Sequence, residues 1–317
     1  MIGYIVRRLI QAVIVVIGVT IIAFILQNLV ATGPALARAV IGIRAGPTQV
    51  HAFIKEYGLN SPLPVQYAHY FWQMLQGNLG YSYKLNDSVD ALIAHDLPRD
   101  LLLVGSAIVI ALLIAIPVGL VQAAHRNGLI DYVGTAVSFL LYSMPYFLLG
   151  LLLIAAFSVN LGILPAEAPQ GTTITQVLSQ PSALILPIAT LALGTYALFS
   201  QYMRSAAVEN LAQDYVRTAR AKGATKRRIL WRHVLRNSLL SVVTLVGLSV
   251  PAILTLGFVV EYVFNFPGIG LLFYNAAVSA DYPVELGITI LVSVATVAGN
   301  LAADLAYAAL DPQVRYT

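Results

Sequence analysis

The chain has 317 residues, of which 59% are hydrophobic and only 10% are charged, and its mean hydropathy is +0.81. Soluble domains average about 45–50% apolar and about 25% charged residues, so this composition excludes an ordinary soluble fold. The long unbroken apolar runs predict an all-α polytopic membrane protein, because the strands of a membrane barrel are segments of about ten residues with alternating polarity. Cysteine is absent, which excludes disulfide bonds and thiolate metal sites.

Residues 1–30 combine a basic start with an apolar run from residue 9 onward. The apolar run is longer than the roughly 7–15 residues of a signal-peptide core, which favours a retained first membrane helix over a cleaved signal. Arg7 and Arg8 then place the N-terminus in the cytoplasm. Residues 31–99 form the longest polar segment, predicted to be extracytoplasmic. Its stretch YAHYFWQMLQ predicts a helix in the membrane interface, where Trp and Tyr concentrate.

Residues 100–317 are predicted to form the core membrane domain. Five further spans fall at about residues 101–123, 132–159, 183–203, 238–260 and 284–308. Pro145 and Pro251 interrupt the third and fifth of the six spans, where proline removes a helical hydrogen bond and bends the helix. These two positions are assigned to helix kinks along a pathway.

Six transmembrane helices put both termini in the cytoplasm. Of the 18 Lys and Arg residues, the outside then holds only a few. They are Arg38, Arg44, Lys55, Lys84 and Arg99. This asymmetry supports the orientation independently of hydropathy, and it also means that the net charge of +4 is no sign of a nucleic-acid partner.

Half of the 18 Lys and Arg residues lie in the loop 204–237, between the fourth and fifth spans. They are Arg204, Arg217, Arg220, Lys222, Lys226, Arg227, Arg228, Arg232 and Arg236. The only acidic residues among them are Glu209 and Asp214. The charge places this loop in the cytoplasm. On charge alone, it would most simply be a segment attracted to anionic membrane lipid.

Several motifs follow one another in a fixed order. They are DYVRTARAKGATKRRILWRHVLRN, GFVVEYVFNFPGIG, DYP and DLAYAALDPQVR, preceded by YIVRRLIQ, YGLNSPLPVQY and GNLGYS in the N-terminal third. In these motifs the chain resembles the inner-membrane permeases of bacterial ABC importers of the dipeptide, oligopeptide and nickel group. The resemblance extends over residues 4–315. It departs from the usual pattern after the first span, where ATGPA replaces a PGDP-like sequence, and at Asn78, where an acid is common.

The resemblance implies a type I ABC importer permease fold, in which this loop carries a coupling helix that sits in a groove of an ATP-hydrolysing subunit. Gly223 takes the place of the glycine in the family's loop signature, and glycine suits the left-handed residue that ends a helix. Tyr215, Val216 and Ala219 fall near one helix face. The residues assigned to coupling are Asp214, Tyr215, Val216, Arg217, Thr218, Ala219, Arg220, Ala221, Lys222, Gly223, His233, Arg236 and Asn237.

The motif FNFPGIG combines a proline and two glycines with aromatic residues, which predicts a tight re-entrant turn. Irregular backbone at membrane depth is tolerated only where protein or water surrounds it. We assign this turn to an external gate. Its residues are Glu261, Phe266, Pro267, Gly268 and Gly270.

The chain has no Gly-x-x-x-x-Gly-Lys-[Ser/Thr] phosphate loop, so it is predicted not to be an enzyme and to bind no cofactor itself. His51, His69 and His95 lack metal-ligand spacing, so no metal site is predicted. The resemblance implies the transmembrane subunit of an importer in the bacterial cytoplasmic membrane. Its partners would be a second homologous permease, two subunits that bind ATP and Mg²⁺, an extracytoplasmic substrate-binding protein that delivers peptides, and membrane lipid.

Two other classes compete with this interpretation. An ion-coupled secondary transporter of small solutes would show acidic residues at mid-membrane and internal repeats, and an intramembrane enzyme would need a nucleophile and base or a metal pair within the spans. The sequence shows neither pattern convincingly. The cargo stays open among dipeptides, oligopeptides, glutathione-like compounds and nickel chelates, because the pocket that selects it is largely on another polypeptide.

Overall fold

A computed structural model describes residues 2–30, 33–42, 44–56, 58–82, 84–171 and 173–310. These residues are mainly helical, which confirms the predicted class. The described residues also contain a short antiparallel hairpin of strands β1 (Tyr81–Ser82) and β2 (Asp87–Ser88), which the sequence analysis did not predict. The chain divides into two compact units, Met1–Arg99 with Pro267–Ala298 and Asp100–Phe266 with Gly299–Thr317.

The helices of the described residues are numbered in chain order. They are α1 (Ile2–Val30), α2 (Gly33–Ile41), α3 (Pro47–Glu56), α4 (Leu63–Leu75), α5 (Val89–Ala124), α6 (Leu129–Ser143), α7 (Tyr146–Leu153), α8 (Ile174–Leu178), α9 (Pro181–Leu211), α10 (Asp214–Ala221), α11 (Lys226–Arg228), α12 (Leu235–Phe264), α13 (Ile269–Ser279) and α14 (Tyr282–Leu310). Two π-helical segments, Ile154–Asn160 and Ile229–Val234, follow α7 and precede α12.

Among the described residues, three helical stretches are long and apolar enough to cross a membrane. They are Val89–Ala124, Pro181–Leu211 and Tyr282–Ala302, and the number rises to five if each of two bent helix pairs is one span. Within α1 the apolar stretch is shorter, Val13–Leu26. Six spans and cytoplasmic termini therefore remain predictions. The tail 311–317 lies outside the described residues.

Two of the long helices extend well past the predicted spans. α5 begins at Val89 rather than near residue 101, and α9 continues to Leu211 rather than ending near residue 203. Hydropathy detects only the apolar part of a helix. The helix itself continues for as long as its backbone hydrogen bonds are formed and its inner face is buried. In α9, Ala206 and Ala207 are buried and continue that inner face beyond the apolar run. The first part of the predicted loop 204–237 is therefore helical.

In the first unit, α4 packs against α1. The hydroxyl oxygens of Thr20 and Tyr67 lie 2.9 Å apart, within hydrogen-bond distance. The ring of Phe24 contacts those of Tyr67 and Tyr70, with centroid separations of 5.6 and 5.9 Å. The aromatic residues that predicted an interfacial helix thus also hold α4 on the first apolar helix.

The hairpin of the first unit is joined to the segment before α14. The Ser82 hydroxyl donates a hydrogen bond to the carboxylate of Asp281, and both side chains are buried. Nearby, Val89 and Ile269 share an apolar cluster with Val284 of α14. This polar anchor and the cluster fix the start of α14 within its unit.

The second unit is built around α9, whose inner face carries large apolar side chains alternating with small residues. Phe199 of α9 belongs to a core cluster with Phe264 and Phe266. A Cβ atom at Gly119 of α5 would lie 2.6 Å from the Ser200 carbonyl oxygen of α9. The absence of a side chain at Gly119 is therefore what lets α5 and α9 pack backbone to backbone.

The third predicted span is broken at the proline. α6 ends at Ser143, α7 begins at Tyr146, and the chain turns by 105° between them. At Pro145 the chain makes a sharp turn between two short helices, where the sequence predicted a kink in one helix. Met144 is extended, with ψ of 124°, as expected for a residue before proline. Pro251 falls within α12, but its side chain lies outside the described part of the structure.

Candidate functional site

The basic loop contains a short helix, α10, which is separated from the end of α9 by two residues. Val216 of α10 is fully buried, and Tyr215 and Ala219 are partly buried, so the helix has the inner face that its spacing predicts. Val216 packs in an apolar cluster with Leu120 of α5 and Met203 of α9. α10 is therefore anchored in the chain's own core through its apolar face.

The opposite face of α10 is exposed and basic. Arg217, Arg220 and Lys222 are all exposed, as is the small Ala221 between them. Arg217 pairs with Asp214 at 3.2 Å, but both groups are in solvent, where such a pair contributes only about 0–1 kcal/mol. The exposed face of α10 is thus predominantly positively charged.

Side-chain hydrogen bonds also fasten α10 to α9. The Tyr215 hydroxyl donates to Asn210 Oδ1 at 2.8 Å, and Asn210 Nδ2 donates to the Ala206 carbonyl at 2.9 Å. Because Asn210 is held by its own helix, the tyrosine is tied to a fixed point. The end of α9 and the first turn of α10 are therefore joined by side-chain hydrogen bonds as well as by the chain.

Gly223 ends α10 in the left-handed conformation, with φ of +78°, as the sequence predicts. Its N–H donates to the Arg220 carbonyl at 2.9 Å, and the Ala224 N–H donates to the Ala219 carbonyl at 3.0 Å. These bonds satisfy carbonyl groups that the end of a helix leaves free. A residue other than glycine would be strained here by its backbone rather than by crowding, because no atom lies within 4 Å of a Cβ at this position.

The second half of the loop returns to α12 through α11 and a π-helical segment. Ile229 and Val234 of that segment are buried in the same cluster as Val216, so both halves of the loop share one core. His233 is partly buried, whereas Arg236 and Asn237 are exposed at the start of α12. His233, Arg236 and Asn237 thus lie in a different segment of the loop from α10. The two segments nevertheless pack on the same apolar cluster. π-helical turns frequently occur at functional sites, and no sequence signal predicted this one.

Arg204, the first basic residue of the predicted loop, lies within α9 and binds Asp131 of α6. Its Nε donates to Asp131 Oδ1 at 2.5 Å, and a terminal guanidinium nitrogen donates to Oδ2 at 2.7 Å. Sequence reasoning missed Asp131, because it lies 73 residues from its partner. Only hydropathy could have drawn attention to it, as an acid at the edge of an apolar run.

The predicted gate segment forms a tight turn at the end of α12. Glu261 is buried, and its carbonyl accepts a bond from the N–H of Phe266 at 2.8 Å. Asn265 adopts the left-handed conformation, with φ of 50°. Its carbonyl accepts from Gln170 Nε2 at 2.7 Å, and the Phe264 carbonyl accepts from Ala168 at 2.8 Å. The loop before α8 therefore holds this turn in place.

The remaining gate residues belong to the first unit. Gly268 precedes the first residue of α13 and is buried, Gly270 lies in the first turn of α13, and Pro267 is partly buried. The motif FPGIG therefore begins a helix, rather than forming an irregular loop throughout.

In the ranges that the structure describes, no cluster of three or more His, Asp or Glu residues is arranged to hold a metal ion.

The apolar helices are those of a membrane protein that crosses the bilayer more than once. Residues 115–316 match the family described as binding-protein-dependent transport system inner membrane component. Residues 1–104 match the family described as the N-terminal part of the same kind of membrane component. The chain therefore belongs to the family of binding-protein-dependent transport system inner membrane components. It is a multi-pass membrane permease, and it is not an enzyme.

Individual relatives cover the whole chain or most of it. The oligopeptide transport system permease protein AppB of Bacillus subtilis (strain 168) is 38% identical over 318 residues, covering 100% of both chains. The dipeptide transport system permease protein DppB of the same organism is 38% identical over 260 residues, covering 82% of both. Among solved structures, a chain of the MetNI methionine ABC transporter in inward-facing conformations matches with a TM-score of 0.52. It is 18% identical, and the match covers 68% of this chain and 96% of that one, which supports the fold alone.

Proposed function

We propose that the chain is one of two homologous transmembrane subunits of an ATP-driven peptide importer. An extracytoplasmic binding protein delivers the peptide to a pathway between the two permeases. Two partner subunits bind ATP and Mg²⁺ and hydrolyse the nucleotide, and the chain itself binds no cofactor. The observation that carries this proposal is α10, which is anchored by its apolar face and open on its basic face. Membership of the family supports the same function.

α10 has the properties that a mechanical connector needs. Its buried Val216 and the bond from Tyr215 to Asn210 prevent it from moving independently of α9. Its exposed Arg217 and Arg220 can bind an acidic groove on another protein. Rigid-body movement of such a groove would displace α9 and with it the helices of the second unit.

We place the chain in the bacterial cytoplasmic membrane, with six transmembrane helices and both termini inside. The basic loop would then face the cytoplasm, where ATP is available to the partner subunits. The turn around Glu261 and Phe266 would lie on the opposite side, as an external gate. Its hydrogen bonds to the loop before α8 are consistent with a part that must hold a defined shape when closed.

The cargo we propose is a peptide, because the relatives AppB and DppB are named for oligopeptide and dipeptide transport. Both match at 38% identity, so similarity alone does not favour one peptide length. We assign the choice of length to the binding protein, because the apolar helices offer few charged groups for recognising peptide ends.

The test is reconstitution of the complete transporter in vesicles, with uptake of labelled peptide and ATP hydrolysis measured together. Arg220→Glu reverses charge on the open face, and Gly223→Pro prevents the left-handed ending of α10. Both should abolish the stimulation of ATP hydrolysis by loaded binding protein and reduce uptake sharply. Lys55→Glu, at an exposed residue of α3 outside the loop, serves as the matched charge control and should behave as the wild type.

Two results would contradict the proposal. Wild-type stimulation and uptake in both loop variants would make the loop a charged anchor only. Peptide uptake by the chain alone, driven by an ion gradient in vesicles without ATP, would instead indicate an ion-coupled secondary transporter.

A further inference from the structure

The carboxylate of Asp131 is fixed by three hydrogen bonds, although it is buried at the start of α6. Two come from the guanidinium of Arg204 on α9, at 2.5 and 2.7 Å, and the third from the backbone N–H of Asn127, at 3.0 Å. The Asp131 side chain is 1% exposed and that of Arg204 is 24% exposed. A two-point contact of this kind fixes both distance and orientation, which a contact between apolar side chains does not.

The pair lies where α9 leaves the apolar part of the chain. Arg204 comes two turns before the end of α9 at Leu211, and α10 starts at Asp214. α9 is continuous from Pro181, so displacement of its last turns moves Arg204 with them. On the other side of the pair, Asp131 is in the first turn of α6, the helix that ends at the 105° turn into α7.

Other polar contacts along the α6–α9 interface are weak by comparison. The hydroxyl groups of Ser138 and Ser200 lie 2.9 Å apart, and Ser200 also donates to the Ala197 carbonyl at 3.2 Å. A neutral hydroxyl pair contributes about 0.5–1.5 kcal/mol, and an alternative partner on the same helix lowers the cost of breaking it. The ion pair is therefore the contact that sets the register between α6 and α9.

We propose that Asp131 and Arg204 are positioning residues for coupling, because their ion pair passes displacement of α10 and α9 to α6 and α7. The inference rests on the proposed function of α10. A buried ion pair contributes little net stability compared with apolar residues of similar volume, so stability alone does not account for it. Both charges can therefore be removed together, because the double substitution leaves neither partner charged and unpaired.

The test uses the complete reconstituted transporter with the double variant Asp131→Asn/Arg204→Met. The introduced asparagine can still accept from the backbone N–H of Asn127, whereas both bonds between the helices are lost. Arg204→Lys is a second variant, which keeps the buried charge paired but replaces the planar fork with one ammonium group. Lys55→Gln, at an exposed basic residue of α3, is the matched control.

Two quantities are measured in each variant. The first is peptide taken up per ATP hydrolysed. The second is the distance distribution between spin labels attached through Glu209→Cys on α9 and Val137→Cys on α6, which is possible because the chain contains no cysteine. We expect the double variant to lose about tenfold in uptake per ATP, within the roughly 5- to 150-fold range of typical coupling between sites, and its label distance to broaden when ATP binds.

We expect the lysine variant to show the same changes to a smaller degree and the control to match the wild type. An unchanged distance distribution in both variants, or wild-type uptake per ATP in both, overturns the proposal. Failure of the proposed function gives a different result: loaded binding protein would then fail to stimulate ATP hydrolysis even in the wild-type complex.

Discussion

The hydroxyl of Tyr215 donates to Asn210 Oδ1 at 2.8 Å and so joins the first turn of α10 to the last turn of α9. Both residues belong to the same basic loop region, and the bond lies beside the buried Val216. The buried Val216 holds α10 by apolar packing, and the directional hydrogen bond of Tyr215 in addition fixes its orientation on α9. Its removal should loosen α10 without unfolding it.

Tyr215→Phe should retain the packing of the ring and lose the hydrogen bond, which contributes about 0.5–1.5 kcal/mol. Coupled peptide uptake should fall by no more than about tenfold, since about 1.4 kcal/mol corresponds to a factor of ten. Uptake and stimulated ATP hydrolysis in vesicles provide the measurement. Tyr202→Phe, at a half-exposed tyrosine of α9, is the control. Equal activity in the two variants would show that the bond does not matter for coupling.

Gly223→Ala should impair coupling through backbone strain, because left-handed backbone costs a residue with Cβ about 1–2 kcal/mol. Gly223→Asn should be milder, since asparagine visits this conformation more readily. The control Gly105→Ala lies within α5, also with no atom within 4 Å of the added Cβ, and should be neutral or slightly stabilising. Stimulated ATP hydrolysis should therefore rank the control first, the asparagine variant second and the alanine variant of Gly223 last. A ranking in which Gly223→Ala equals the control would exclude strain as the cause.

Phe266→Ala should destabilise the second unit by about 3–5 kcal/mol, because the ring is fully buried and its loss leaves a cavity. Thermal unfolding in detergent measures the effect. Phe139→Ala removes the same ring from a position that is 70% exposed, and in detergent it should change stability little. Similar losses from the two substitutions would mean that the turn at the end of α12 is not held by its buried ring.

Gly194→Ala should displace the ring of Tyr146. A Cβ at Gly194 would lie 2.5 Å from Tyr146 Cζ, well inside van der Waals contact, and overpacking of this kind typically costs about 1–3 kcal/mol. Thermal unfolding should show the loss, and Gly194→Ala combined with Tyr146→Ala should recover part of it. If the double variant lost more unfolding free energy than the two single variants lose together, a steric clash would not be the cause.

The sequence was sufficient for the helical class, for the family and for the inner face of α10, because each depends on apolar periodicity or on motifs that are contiguous in the chain. The left-handed Gly223 was likewise predictable from the preference of helix ends for glycine. The break at Pro145 could be located, but its angle could not, since contacts such as that of Tyr146 with Gly194 join residues far apart in the chain.

Contacts between distant segments could not be predicted in the same way. The pairing of Ser82 with Asp281, like that of Arg204 with Asp131, joins residues far apart in the chain. Each of these residues by itself looks like an ordinary polar residue near the end of an apolar run. The end of α9 was also misplaced, because its last turns are amphipathic and hydropathy does not register them.

The turn at Met144 and Pro145 affects how membrane lipid can meet the protein. In an uninterrupted helix the carbonyl of Leu141 would accept from residue 145, but proline has no N–H, and the carbonyl takes a longer bond of 3.4 Å from Met144 instead. The 105° change of direction also carries later N–H groups away from the last carbonyls of α6. Hydrocarbon cannot hydrate these oxygens. If α6 and α7 form one broken span, water or another polypeptide would therefore have to shield the carbonyl oxygens at this turn from the acyl chains of the lipid.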